Sequence, residues 1–287
     1  MELLRALAAF AEEPGPSHVR LAALLDLPSA PDAAAHTDCF VFNLYPYASV
    51  HLGPEGKLGG EARDRVAGFF RALDAVPGPD PDHLAVLLTA YSHLREGAPD
   101  GPATRAADAL LHEHLLSWLP LYLARVRALA AAPYPRWALL VERALRADAA
   151  RRPAPADPPL HLRTASPRQP PPDASRDAFI AWLLAPVRSG MVLTGQDLRR
   201  AAGDLGLGVR MGERRFVLEA LLDQDPAATL AWLADHTRTT VRAWQGWDDV
   251  VPAPAGWWAV TADTASSHLR SLAADADAVR ARAAVGR

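Results

Sequence analysis

Apolar residues recur at three- and four-residue intervals along most of this chain. Leu84, Leu87, Leu88, Tyr91 and Leu94 form one such stripe, and Leu111, Leu115, Trp118, Tyr122, Val126 and Leu129 form a second. That period places each set on one face of a helix. The second helix should start near Ala103 and kink or break at Pro120, whose ring removes a backbone donor. Shorter helices are predicted over residues 2–13, 17–26, 61–73 and 134–149. In the second of these, Val19, Leu21, Leu24 and Leu25 would face a core, and in the third Val66, Phe69, Phe70 and Leu73 would be buried. The run from Cys39 to Tyr45 fits either a strand or a buried helix, because short apolar runs do not separate the two.

Past residue 150 the pattern stops. Eight of the 26 prolines fall between Pro153 and Pro172, with almost no apolar periodicity, as expected of an extended linker. Helical spacing then resumes with Phe179, Ile180, Leu183 and Leu184. Thr194 and Asp197 resemble a capping box, Gly206 is a stop signal, and Asp225-Pro226 is a helix start. From Asp225 a long helix should run to about Trp244, and a last one over residues 265–284. The expected architecture is all-α: a helical domain over residues 1–150, a proline-rich linker over 151–174, and a second, smaller helical unit over 175–287.

Composition narrows the function. The chain has 287 residues and a net charge of -3, so no global basic field draws it to nucleic acid. One cysteine, Cys39, excludes an internal disulfide framework. The start, Met1-Glu2-Leu3-Leu4-Arg5, lacks the basic region of a secretory signal, and the most apolar window, 114–132, is interrupted by Pro120, Arg125 and Arg127. A soluble, cytoplasmic protein is expected. Lys57 is the only lysine, and the residues around it do not form a phosphate-binding loop. Neither a zinc-protease helix nor a nucleophile elbow occurs. His112 and His114 are two apart, so on an α-helix they diverge. No catalytic residue, metal ligand or cofactor is assigned, and a non-catalytic role is expected.

Two short segments remain. Asp80-Pro81-Asp82-His83-Leu84 reads as a helix start, with Asp80 as cap, Pro81 in the first turn and Asp82 set against the helix dipole. His114-Leu115-Leu116-Ser117-Trp118-Leu119-Pro120 puts His114 and Trp118 on one helical face. Each has a sufficient local explanation in capping or core packing. Their combination, with Tyr45-Pro46-Tyr47-Ala48-Ser49 and a glycine-rich loop upstream, resembles the TorD/DmsD/NarJ family of molybdoenzyme-specific chaperones over roughly residues 1–150. Asp80 stands where that family usually has glutamate.

The resemblance implies a cytoplasmic chaperone that binds the leader or N-terminal segment of a molybdopterin oxidoreductase catalytic subunit. It would hold that subunit for cofactor insertion before export or assembly. It implies a peptide-binding role for Asp80, Pro81, Asp82 and His83, and more weakly for Leu84, His114, Leu115 and Trp118, and it allows a homodimer. Carboxylates would take the guanidinium groups of a twin-arginine leader through paired, charge-assisted hydrogen bonds. Two other readings stand beside it. Residues 194–222 could form a helix-turn-helix, with Arg199, Arg200, Arg210, Arg214 and Arg215 on DNA. Against these five arginines stand Asp197, Asp204, Glu213 and Glu219, which leaves that stretch only +1. Alternatively, Trp244, Trp247, Trp257 and Trp258 could be the exposed face of a helical adaptor.

Overall fold

A computed structural model of the chain describes residues 2–97, 101–165, 169–170, 174–210 and 212–285. Among these residues every regular element is a helix, and the one β-type contact is an isolated bridge between Tyr47 and His83. The all-α expectation holds. The two stripes become the helices Leu84–Leu94 and Pro102–Ala109, the latter running on as a π-helical segment, Leu110–Leu115. The helical path breaks at Leu116–Ser117 and restarts as Leu119–Leu129, with Pro120 in its first turn where a missing N–H costs nothing.

The ambiguous Cys39–Tyr45 run resolves as a second π-helical segment, Thr37–Asn43. Its wide turn closes through Leu44 N donating to Cys39 O at 2.7 Å and Asn43 Nδ2 donating to Asp38 O at 2.8 Å.

Some expected faces are only partly realised: Leu21, Leu25, Val66, Phe69 and Phe70 pack on the core, but others do not. On Ser17–Leu24 it is His18 and Ala22 that turn inward, while Val19 and Leu24 stay exposed. His18 decides this, because its Nε2 lies 2.9 Å from Ala9 O and its Nδ1 accepts from Gly15 N. Leu73 is 38 % exposed rather than buried, since Gly60–Ala72 ends just before it. The helix begun at Asp225 stops at His236 and resumes as Arg238–Trp244. The four late tryptophans are buried in the core, so they offer no partner surface.

Two hydrophobic cores form. The smaller joins Ile180, Trp182, Leu198, Leu218, Leu233 and Leu269 within the C-terminal part. The larger gathers the N-terminal helices but also takes in Leu162, Val187, Trp244, Trp247, Val251 and Trp258. Packing therefore crosses the expected division at 151–174. Within that stretch Leu160–Arg163 is helical and buries His161 and Leu162, while 166–168 and 171–173 lie outside the described residues.

Trp258 Nε1 donates to Ser117 O at 2.8 Å, which ties the last helix, Pro252–Val285, to the break before Leu119. Arg125, on Leu119–Leu129, meets Asp197 on Gly195–Leu205, with one Nη 2.6 Å from each carboxylate oxygen. Both side chains are almost fully buried. At Gly190, φ is +68° and a Cβ would lie 2.7 Å from Ala262 N, so only glycine lets the backbones approach this closely.

Removing one member of the Arg125–Asp197 pair strands a charge in the interior. Arg125→Ala or Asp197→Ala should each cost about 3–5 kcal/mol in urea unfolding. Asp249→Ala, at the exposed Arg146–Asp249 pair, should cost under about 1 kcal/mol. Equal effects at the two sites would contradict the central role of the buried pair.

Candidate functional site

The 80–84 segment does not start its helix where the local sequence suggests. His83 N donates to Asp80 O at 3.2 Å, and Leu84 N donates to Pro46 O at 2.8 Å. The bridge to Tyr47 holds His83 extended, at φ -67° and ψ 138°, so the helix begins only at Leu84. His83 itself is the cap, its Nδ1 accepting from Ala85 N at 3.3 Å.

Asp80 is exposed and does not cap. Asp82 is buried and serves a different helix: its Oδ2 accepts from Ser49 N at 2.9 Å and its main-chain oxygen from Ala48 N at 3.0 Å. These are the first amides of Ala48–Leu52, where a carboxylate complements free N–H groups.

That short helix carries His51, which joins the two segments. The His51 ring stacks on Trp118 with centroids 4.8 Å apart and planes 13° apart. Its Nε2 lies 3.1 Å from Tyr45 O. Trp118 Nε1 donates to His114 O at 2.8 Å, and His114 Nδ1 lies 3.2 Å from His161 Nε2. The structure thus connects 80–84 to 114–118, in the order Asp82, Ser49, His51, Trp118, His114.

Of the eight residues expected to contact a peptide, Pro81, Asp82, Leu84, His114, Leu115 and Trp118 are buried. In this conformation they brace the scaffold, and only Asp80 and part of His83 reach the surface. The acidic residues whose charge acts on His83 are Glu12, Asp80 and Asp82, and Glu12, like Asp80, is exposed.

Burial sets the protonation of the histidines. It pushes His51 down to about 4, with the charge of Arg214 adding to the effect against the Tyr45 carbonyl. It takes His114 to about 4 and His161 to about 3, with Arg65 reinforcing both. All three rings are neutral near pH 7. Among the described residues no group of three metal-binding side chains converges.

The open concavity lies on the far side of this brace. A groove of about 890 Å³ runs between the two cores. One wall is the Thr37–Asn43 segment with Tyr45 and the 54–57 loop, and the other is built by residues 181–199 and 212–215. Gly56, at φ +60°, makes this fit possible, since a Cβ there would come within 2.6 Å of Leu184 O.

None of the eight expected residues lines the groove. Tyr45 does, and its backbone carbonyl contacts His51, so the brace forms the groove's back. The cationic side chains that face the groove come from Lys57, Arg188, Arg199, Arg214 and Arg215. Three of the arginines weighed as a DNA-reading face thus face a groove instead. Arg215 is further tied to Asp177 and Glu219. No local motif announces this arrangement, because its arginines lie far apart in sequence.

The fold is a helical scaffold with a groove between its two cores. Residues 5–124 match the family model described as nitrate reductase delta subunit, and over this stretch the chain is similar to that family. The matched stretch includes every residue of the 80–84 and 114–118 segments. Comparison with curated proteins and with solved structures gave no match.

The neutral histidines predict a specific acid sensitivity. Unfolded, each titrates near 6.5, so below that pH the unfolded chain binds protons that the folded chain refuses. Stability is therefore full above about pH 6.5 and is lost as pH falls toward the folded values near 4. Each ring contributes about 1.4 kcal/mol per pH unit within that window. Melting temperature should fall steadily between pH 7 and pH 5, and a flat profile would mean that these rings are not held neutral.

Proposed function

We propose that this protein is a cytoplasmic, non-catalytic maturation chaperone that binds the leader or N-terminal segment of a molybdopterin-dependent oxidoreductase catalytic subunit. It holds that subunit for cofactor insertion before export or assembly. The family match over residues 5–124 carries this reading. Among the described residues no helix is long and apolar enough to cross a membrane, which is compatible with it.

The geometry gives the reading a physical form. A basic leader meets the exposed carboxylates of Asp80 and Glu12 beside His83, where a guanidinium can take paired, charge-assisted hydrogen bonds. Asp82 acts from behind, by fixing Ala48–Leu52 and hence the extended backbone that presents Asp80 and His83. The strand-like bridge at Tyr47 and His83 keeps this surface in register with the His51–Trp118 brace.

Calorimetric titration with the N-terminal peptide of a molybdopterin oxidoreductase encoded beside this protein tests the reading. Binding should be present, and Asp80→Ala should weaken it about tenfold, as expected for loss of one hydrogen bond to a charged group. The absence of heat with every such peptide would count decisively against it.

Asp82→Ala combined with His83→Ala should leave a helical protein, less stable by about 1–2 kcal/mol through the lost caps, that matures its client poorly. Normal maturation by that variant would reduce both residues to caps alone.

A further inference from the structure

Arg188, Arg199 and Arg214 come from three separate stretches of the chain, yet all face the groove between the cores, and Lys57 faces it from the opposite wall. Their neighbours are paired: Arg200 lies 3.9 Å from Asp197, and Arg215 lies 2.6 Å from Asp177. Lys57, Arg188, Arg199 and Arg214 themselves have no ion pair among the described residues.

Arg188 Nε is buried without an acceptor. Arg214 gives one Nη to Leu193 O at 2.8 Å, and burial lowers the pKa of its guanidinium. A guanidinium cannot escape this cost by losing its proton, so a desolvated and unpaired one calls for an anion.

The acids around the groove do not fill that role. Asp38 is occupied by the side-chain amides of Asn43 and Gln196. Glu55 and Glu213 are exposed at the rim. Apart from Arg215, which is paired with Asp177 and Glu219, four cationic and three anionic side chains line the groove, which leaves it one positive charge in excess.

The lining is also partly apolar. Phe42 is 66 % exposed and Leu184 is half-buried, and both border the same space. Its volume of about 890 Å³ holds a short stretch of polypeptide rather than a single small ion.

We propose that this groove is a second docking site, which binds an acidic peptide segment of a partner protein. Carboxylates of that segment pair with Arg188, Arg199 and Arg214, while an aliphatic or aromatic side chain beside them packs on Phe42 and Leu184. The charge disfavours a twin-arginine leader, and neither Asp80 nor His83 lines the groove, so the site is distinct from the Asp80 surface and does not depend on the leader-binding reading.

Fluorescence anisotropy on the full chain tests this with three labelled probes: a short peptide of alternating Glu and Leu with one Phe, the same peptide with Gln for every Glu, and the same with Lys. The Glu probe should bind and weaken as salt is raised, with the Gln probe at least about tenfold weaker and the Lys probe silent.

Arg199→Gln lies on an exposed helix face and should leave melting temperature unchanged while weakening the Glu probe about tenfold. Arg188→Gln should weaken it comparably. Equal binding of the Glu and Gln probes, no binding of either, or an unaffected Arg199→Gln would each overturn the proposal. Tight binding of inorganic pyrophosphate without the Glu probe would also overturn it, making the groove a small-anion site. Leader titration of the Arg199→Gln protein should be unchanged, so the two docking surfaces are tested separately.

Discussion

The Arg125–Asp197 pair is the contact on which the arrangement of the two halves rests. Burial by itself would raise the Asp197 pKa. The charge of Arg125 outweighs that effect, aided by His236 at 3.8 Å and the Thr194 hydroxyl, and holds the carboxyl below its ordinary range. The same carboxylate closes the capping box at the start of Gly195–Leu205. One group thus both nucleates a C-terminal helix and anchors it to Leu119–Leu129. Gly195 and Arg199, on that helix, line the groove, so its width is set by an interaction outside it. A buried pair is a weak source of net stability compared with apolar packing, but a strong penalty on misalignment. Here its use is to fix one register between two cores that could otherwise slide on apolar contacts.

The second constraint is a row of neutral histidines. His51, His114 and His161 would each be costly to bury charged, and each is paired through a ring, a carbonyl or another imidazole. His51 stacks on Trp118 and meets Tyr122 edge-on, while His114 meets Phe69 and His161, and these contacts form a partition behind the groove. Trp258 reaches the same partition from the far end of the chain through Ser117 O. Trp244 stacks on Trp258 and Trp257 meets Trp258 edge-on, so these late tryptophans are spent on packing rather than on a partner surface.

Period and capping chemistry made much of the fold readable. The stripes at 84–94 and 111–129, the Thr194–Asp197 box and the Asp225-Pro226 start are local signals, and each reappears as a helix or a cap. Asp80 and Asp82 failed as local signals for a physical reason. The Tyr47–His83 bridge spans 36 residues and overrides the intrinsic cap, shifting the helix start to Leu84 and handing Asp82 to another helix. Burial of Trp244 and Trp258 was likewise illegible, because it depends on an N-terminal surface far away in sequence. The groove left no motif at all: positions 188, 199 and 214 are unrelated until packing brings them to one side.

These two faces have opposite electrostatic character, and the partition behind the groove decides how far they sense each other. Arg214 links the groove to the partition, since its charge adds to the lowering of the His51 pKa from the groove side. An anion seated on Arg214 would remove that contribution. Burial, the larger cause, would remain, so His51 would stay neutral near pH 7 and its stack on Trp118 would persist. Charge within the groove is therefore absorbed by the partition instead of being passed through it as a protonation change. Any influence of one face on the other has to travel mechanically, through Ala48–Leu52 and its Asp82 cap, because that helix is the element the brace shares with the 80–84 segment.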